Sequence, residues 1–396
     1  VLSVQYISST ELKTRIRPKD AALPTEYDIQ VQTSSGRKGK GTTLFRVKVA
    51  ETVCTGSEPK EPEIAYLTAL DTSGSIYTQD IYLSSSSGCD QYLLVDAAVQ
   101  ILPDSSSSTG LGESLQEVTD LRLDIRGFTG VVSWRDTAVE PSPQVGLTFA
   151  FDANGNVTAE PGGPRVLYSS EAGTDVRGAD VRLNENGQSE LVLVERPVDE
   201  SEWLVSVFNY NAGSYSILAA GNCHVQDLGG KCFTQQLGRI NWSYDGSEIF
   251  FEPTAVDGQA IARLARVGSS WQPAALLMTH SSALQIVGVS SSGLLTYEFI
   301  EVVLNKRGKV SSTQWRTAVI DPIECEAFQC APSDGDMLPV DSTKFPRGWT
   351  RSGGLLFIET GPGNQRDIRE YSNPFTGEVG SLDIQDVDRL ERDTSY

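Results

Sequence analysis

Three oxygen-bearing side chains stand at alternate positions in Asp152-Ala153-Asn154-Gly155-Asn156, the spacing that opens many calcium-binding loops. A carboxylate further along must close such a loop with both of its oxygens. Glu160 is the nearest acid, and it sits too close for the helix–loop–helix pattern. The same five residues also spell an Asn-Gly hairpin turn flanked by apolar positions. Asp152, Asn154 and Asn156 are thus a calcium candidate that competes with an ordinary turn.

Acyl-transfer chemistry needs a nucleophile elbow, Gly-x-Ser-x-Gly, followed by an acid and a histidine. No such elbow occurs, and Ser290-Ser291-Ser292-Gly293 reads as a hairpin turn. His224 and His280 are the only histidines, which leaves little for a triad or a histidine-rich metal centre. Glycoside hydrolysis needs two carboxylates facing one bond. The chain has 52 acidic residues, so a pair at a site is possible, while most of them are expected to be solvated. No catalytic residue and no cofactor is assigned.

Six cysteines fall into three pairs close in sequence: Cys54 with Cys89, Cys223 with Cys232, and Cys325 with Cys330. Fifteen pairings exist in principle, and bonds between neighbours are the economical choice. Zinc binding would want tighter spacings plus histidines. The expectation is three disulfides formed in an oxidising compartment, periplasmic or extracellular. Val1-Leu2-Ser3-Val4 shows no signal pattern and no initiator Met, which reads as a processed chain.

The balance of charge restricts partners. Lys plus Arg number 32 against 52 Asp plus Glu, a formal net charge of −20. Phosphate backbones demand a basic surface, so nucleic acid is excluded as the expected partner. An anionic membrane face is disfavoured for the same reason, and no apolar run reaches the roughly 20 residues of a spanning helix. Arg37-Lys38-Gly39-Lys40 is a small basic tip that could meet an acidic partner. Asn156-Val157-Thr158 and Asn241-Trp242-Ser243 match the glycosylation pattern, the second by chance if Asn241 begins an inner strand.

The elements that would position these residues are short strands. One segment, Asn241-Trp242-Ser243-Tyr244-Asp245-Gly246-Ser247-Glu248-Ile249-Phe250-Phe251, reads as strand, glycine turn, apolar strand. Weaker copies occupy 121–134, 181–194, 287–299 and 348–358, with a looser one at 64–77. Each is followed by a second hairpin, so each unit makes four antiparallel strands. Six units begin near Ile64, Leu121, Val181, Ile240, Leu284 and Gly348, about 45–60 residues apart. Regular recurrence of one small sheet predicts an all-β propeller rather than two β-sandwiches. Residues 1–49 suggest a seventh blade, and seven is preferred. Alternatively residues 1–61 contain a ring-closing strand, which leaves six possible. A single domain over 1–396 is expected, with an acidic tail at 383–396.

Continuous apolar runs such as Leu191-Val192-Leu193-Val194 and Ile249-Phe250-Phe251 are what strands buried on both faces require. Trp242 and Trp349 hold matching positions and should pack between blades, each indole N–H seeking an acceptor.

Trp242-Ser243-Tyr244-Asp245-Gly246 followed by an apolar strand resembles the repeat of TolB-like periplasmic propellers, which reads Trp-Ser-Pro-Asp-Gly. Tyr244 stands where proline is usual, and the copy at 348–358 keeps Trp349 and Gly353 with Arg351 at the proline position. The resemblance covers most of the chain and implies the fold. It carries over no functional motif, neither of peptidase-linked propellers nor of polysaccharide lyases, whose metal sites use several histidines. The function expected is a non-catalytic binding or assembly module with a protein partner on a loop-rich face. The alternative is a carbohydrate-active enzyme or glycan binder at the channel mouth, with Trp203, Trp271 and Trp315 the aromatics to inspect.

Overall fold

The computed structural model describes the strands within 3–46, and residues 61–387 apart from 104–110, 172–173, 198–201, 223–238, 253, 256–257, 282, 305, 307–308, 326–329, 341–343, 361–365 and 386. Cys54, Cys223, Cys232, His224, Arg37 and most of the tail lie outside the described residues, as does the side chain of Trp203.

Two separate hairpins come first: β1 (Ser3–Ser8) with β2 (Glu11–Arg15), and β3 (Glu26–Gln32) with β4 (Lys38–Arg46). Six antiparallel blades follow. Blade 1 is β5 (Pro62–Leu67), β6 (Tyr77–Ser85), β7 (Gln91–Pro103) and β8 (Leu111–Gln116). Blade 2 is β9 (Val118–Arg126), β10 (Thr129–Asp136) and β11 (Gln144–Phe151), with β12 (Val157–Ala159) and β13 (Arg165–Tyr168) sharing the outer edge. Blade 3 is β14 (Thr174–Leu183), β15 (Ser189–Pro197), β16 (Glu202–Asn209) and β17 (Ser214–Asn222). Blade 4 runs β18 (Ile240–Trp242), β19 (Glu248–Phe251), β21 (Gly258–Val267) and β23 (Ala275–His280), with β20 (Thr254–Ala255) and β22 (Ser270–Trp271) attached to β21. Blade 5 is β24 (Leu284–Val289), β25 (Leu295–Leu304), β26 (Val310–Ile320) and β27 (Asp336–Met337), with the short helix α1 (Pro322–Cys325) before β27. Blade 6 is β28 (Lys344–Trp349), β29 (Leu355–Thr360), β30 (Arg366–Asn373) and β31 (Glu378–Ile384).

The fold is therefore a six-bladed β-propeller. Six was the second of the two readings; the N-terminal strands form two-stranded sheets, not a four-stranded seventh blade. Asp383 and Ile384, the first residues of the expected acidic tail, end β31.

Apolar burial explains the ring. Six core clusters correspond to six blade-to-blade contacts. Val192, Val194, Trp242, Ile249 and Phe251 join blades 3 and 4, and Phe250, Ile286 and Tyr297 join blades 4 and 5. The apolar runs supply both faces at once: Leu191 and Leu193 turn toward blade 2 while Val192 and Val194 turn toward blade 4, as alternation along a strand dictates. Each such fully buried side chain contributes about 1.5–3 kcal/mol. The ring closes without shared strands: Ile64 and Tyr66 of blade 1 pack on Ile358, Ile368, Leu382 and Ile384 of blade 6, and Thr68 bridges Val387.

The inner turns repeat one hydrogen-bond device. Ser243 Oγ accepts from the Glu248 N–H at 2.9 Å, Ser290 Oγ from Leu294 at 3.0 Å, and Thr350 Oγ1 from Gly354 at 2.9 Å. Asn184 Oδ1 does the same for Gln188 at 3.0 Å. Gly246 has φ +73°, so glycine is demanded by conformation, and the Arg182 guanidinium fills the space a Cβ would take.

Candidate functional site: the central channel

Inner strands of all six blades surround a cavity of about 280 Å³. An innermost strand is a sheet edge, so its outward N–H and C=O groups need partners other than a further strand. Charged side chains supply many of them. Arg122 Nε donates to the Ala179 carbonyl at 3.3 Å, and Asp124 accepts from the Leu183 N–H at 2.7 Å. Asp180 accepts from the Trp242 N–H at 2.8 Å. Arg239 donates to the Ile286 carbonyl at 3.0 Å, and Glu252 accepts from the Ile286 N–H. Blades 2 to 5 are thereby stitched in sequence along the channel wall.

Two arginines complete this stitching and also cover aromatic rings. Arg182 is held by Glu190 at 2.7 Å and lies 4.3 Å from the Trp242 ring centre. Arg126 donates to the Tyr244 carbonyl and lies 4.6 Å over its ring. Such stacking is favourable for guanidinium on indole and phenol faces. Asp180 titrates high, at about 6, because burial outweighs Arg122 and the two backbone N–H groups that oppose it.

The seam between blades 6 and 1 is built differently. Glu63 lines the channel there, and its Oε2 is buried with no hydrogen-bond partner among the described residues. Burial raises its pKa, Glu370 adds to the rise, and Arg351 opposes it. Glu370 is raised by burial too, although Thr350 Oγ1 donates to it at 3.0 Å. Burial thus favours the protonated form of both carboxyl groups.

The residues singled out in the sequence are scattered around this site. Asp152 Oδ1 accepts from the N–H groups of Asn154 and Asn156 at 2.8 and 3.0 Å. Its Oδ2 accepts from the Asn156 amide at 2.8 Å. These donors hold its pKa down, Asn156 most of all. The loop is exposed and lies away from the channel-lining strands. Trp271 packs on Trp242, ring centres 5.9 Å apart, whereas Trp315 is exposed on blade 5. His280 packs edge-on to Phe299. Cys325 and Cys330 form a disulfide, and Cys89 is also disulfide-bonded. Among the described residues no three metal-ligating side chains gather. Trp349 finds its acceptor, Thr296 Oγ1 at 2.8 Å; the Trp242 indole N–H has none among the described residues.

The stitching residues were missed by pattern reading. Asp124, Asp180 and Glu252 look like ordinary strand charges, and only their place on inner edges gives them partners. Their one sequence signal is an acid beside the apolar positions of the repeat.

No protein-family profile matches the sequence, and no curated protein matches it. Solved structures do. TolB from Acinetobacter baumannii aligns with TM-score 0.49 at 10% identity, over 84% of this chain and 65% of that one. A periplasmic gluconolactonase from Pseudomonas aeruginosa aligns with TM-score 0.38 at 12% identity, over 82% of this chain and 97% of that one. Trypanosoma rangeli sialidase aligns with TM-score 0.37 at 10% identity, over 92% and 57%. The likeness is one of fold, and these propellers include both a Tol component and enzymes.

Proposed function

We propose that this chain is an extracytoplasmic propeller that acts as a non-catalytic binding or assembly module, with a protein partner on a loop-rich face. The observation behind this reading is the channel wall. Arg122, Asp124, Asp180, Arg182, Arg239 and Glu252 are engaged with the backbone or side chains of the wall itself. A wall whose charges brace the ring suits a rigid platform that presents loops. The Cys325–Cys330 disulfide supports an oxidising compartment. No helix among the described residues is long and apolar enough to cross a membrane.

Cross-linking in native extract followed by affinity isolation should recover a stoichiometric second protein. Recovery of the bare chain alone would count against the module reading.

One observation favours a second reading, an enzyme or glycan site at the channel mouth: the raised carboxyls of Glu63 and Glu370. Turnover or binding on a polysaccharide panel, abolished by Glu63→Gln, would establish it. Activity unchanged by that substitution would remove Glu63 from it.

A further inference from the structure

Blade 5 carries an element that the ring does not use. Strands β25 and β26 have 10 and 11 residues and pair from Leu295↔Ile320 to Leu304↔Val310. Residues 317–320 of β26 are buried, and all seven residues at 310–316 are exposed. The hairpin thus projects from the body as an arm. Paired residues share a face, so Ile300 with Trp315 and Val302 with Thr313 form one side. On that side Val302 is 43% and Trp315 42% exposed, and Val310 near the tip is 61% exposed. The other side is mostly polar apart from Val303: Glu301 pairs Gln314, and Arg316 holds Glu301 at 2.8 Å. A lone two-stranded hairpin is marginal in water, and an unpaired edge invites a further strand.

That edge is open over a definite length. Strand β27 pairs only Ala318 and Val319 of β26, and Leu338 donates to the Thr317 carbonyl at 2.9 Å. Among the described residues no strand covers 310–316.

Charge then says what fits. The tip carries Lys306 and Lys309 on a chain of net charge −20. The base of the same arm exposes Asp321, Glu324, Asp334 and Asp336. Antiparallel pairing of two identical 310–316 edges about a two-fold at Thr313 sets residue 310 opposite residue 316. Each basic tip then reaches the acidic base of the other copy. Ile323 and Met337, exposed at that base, add apolar surface beside the carboxylates.

We propose that the blade 5 arm is a homodimerisation element, in which β26 of one copy pairs antiparallel with β26 of a second copy. Both interfaces are the same patch used twice, as two-fold symmetry requires. The inference is independent of any heterologous partner, because it concerns the purified chain alone.

Sedimentation velocity of the full chain between about 1 and 100 µM should show a concentration-dependent dimer. Lys306→Glu with Lys309→Glu should weaken it about 10-fold or more, as should Glu324→Lys with Asp336→Lys. Mixing these two charge-reversed proteins should restore dimers, since both tip-to-base contacts become complementary in the mixed pair. Thr313→Cys should give a covalent dimer on mild oxidation. Near-ultraviolet circular dichroism checks that each variant keeps its packing. A monomer throughout the range, or a dimer unmoved by charge reversal and not trapped at residue 313, overturns the proposal. Neither result bears on recovery of a second protein from extract.

Discussion

Blades 2 to 5 and the seam between blades 6 and 1 close one ring by different means. In the first region, side-chain charges reach across the channel wall to the next inner strand, as Asp180 does to Trp242 and Arg239 to Ile286. At the seam, Ile64 and Tyr66 press on Ile358, Ile368 and Ile384, while Glu63 keeps a buried oxygen without a partner among the described residues. A channel wall can thus add side-chain charges to its apolar contacts or close mainly on apolar side chains.

The difference can be broken from either side. Asp180→Ala should have the largest effect, because it strips Trp242 N–H and Arg122 of a buried partner. Losses of about 3–5 kcal/mol are usual for such a break, and urea unfolding would measure it. A loss under about 1 kcal/mol would mean the stitching is ornamental. At the seam, Ile384→Ala should cost about 2–4 kcal/mol through the cavity it leaves. Limited proteolysis of that variant should cut near the seam first; cuts confined to blades 2 to 5 would contradict the contrast.

Asp180 also predicts a dependence on pH. Its folded pKa is about 6, above the ordinary 3.8, so between those values the native state binds the extra proton. Its contribution to stability is best below about pH 4, declines as pH rises to 6, and is flat beyond, a span of up to about 3 kcal/mol. Asp180→Asn should flatten that portion of the curve, and an unchanged slope would reassign it. The smallest contrast concerns the two matched tryptophans. Trp349→Phe forfeits a hydrogen bond to Thr296 worth about 1 kcal/mol. Trp242→Phe forfeits none, so beyond packing its loss should be the lesser in the same unfolding assay.

Much of the ring was legible in the residues themselves. The turn motif at Gly246 and its copies placed five blades within four residues of their observed starts and blade 3 within seven, since turn chemistry and strand alternation are local. The apolar runs at Leu191 and Ile249 announced two-sided burial for the same reason. The site was less legible. Asp152, Asn154 and Asn156 drew attention through spacing, yet their turn closes on itself. Asp180, Glu63 and Glu370 drew none, because their character comes from neighbours 60 or more residues away in the chain: Trp242 for Asp180, Glu370 for Glu63.

Sequence by itself determined the class of fold, the repeat, the acidic surface and the expectation of disulfides. Each follows from composition or from contacts a few residues long. Tertiary structure alone decided that the blades number six, which charges brace the channel, and that Lys306 and Lys309 stand at the end of an exposed arm above an acidic base. Those are questions of which distant strands meet, and of how water is excluded where they do. Burial sets the state of Asp180 and Glu63, and burial is a property of the closed ring.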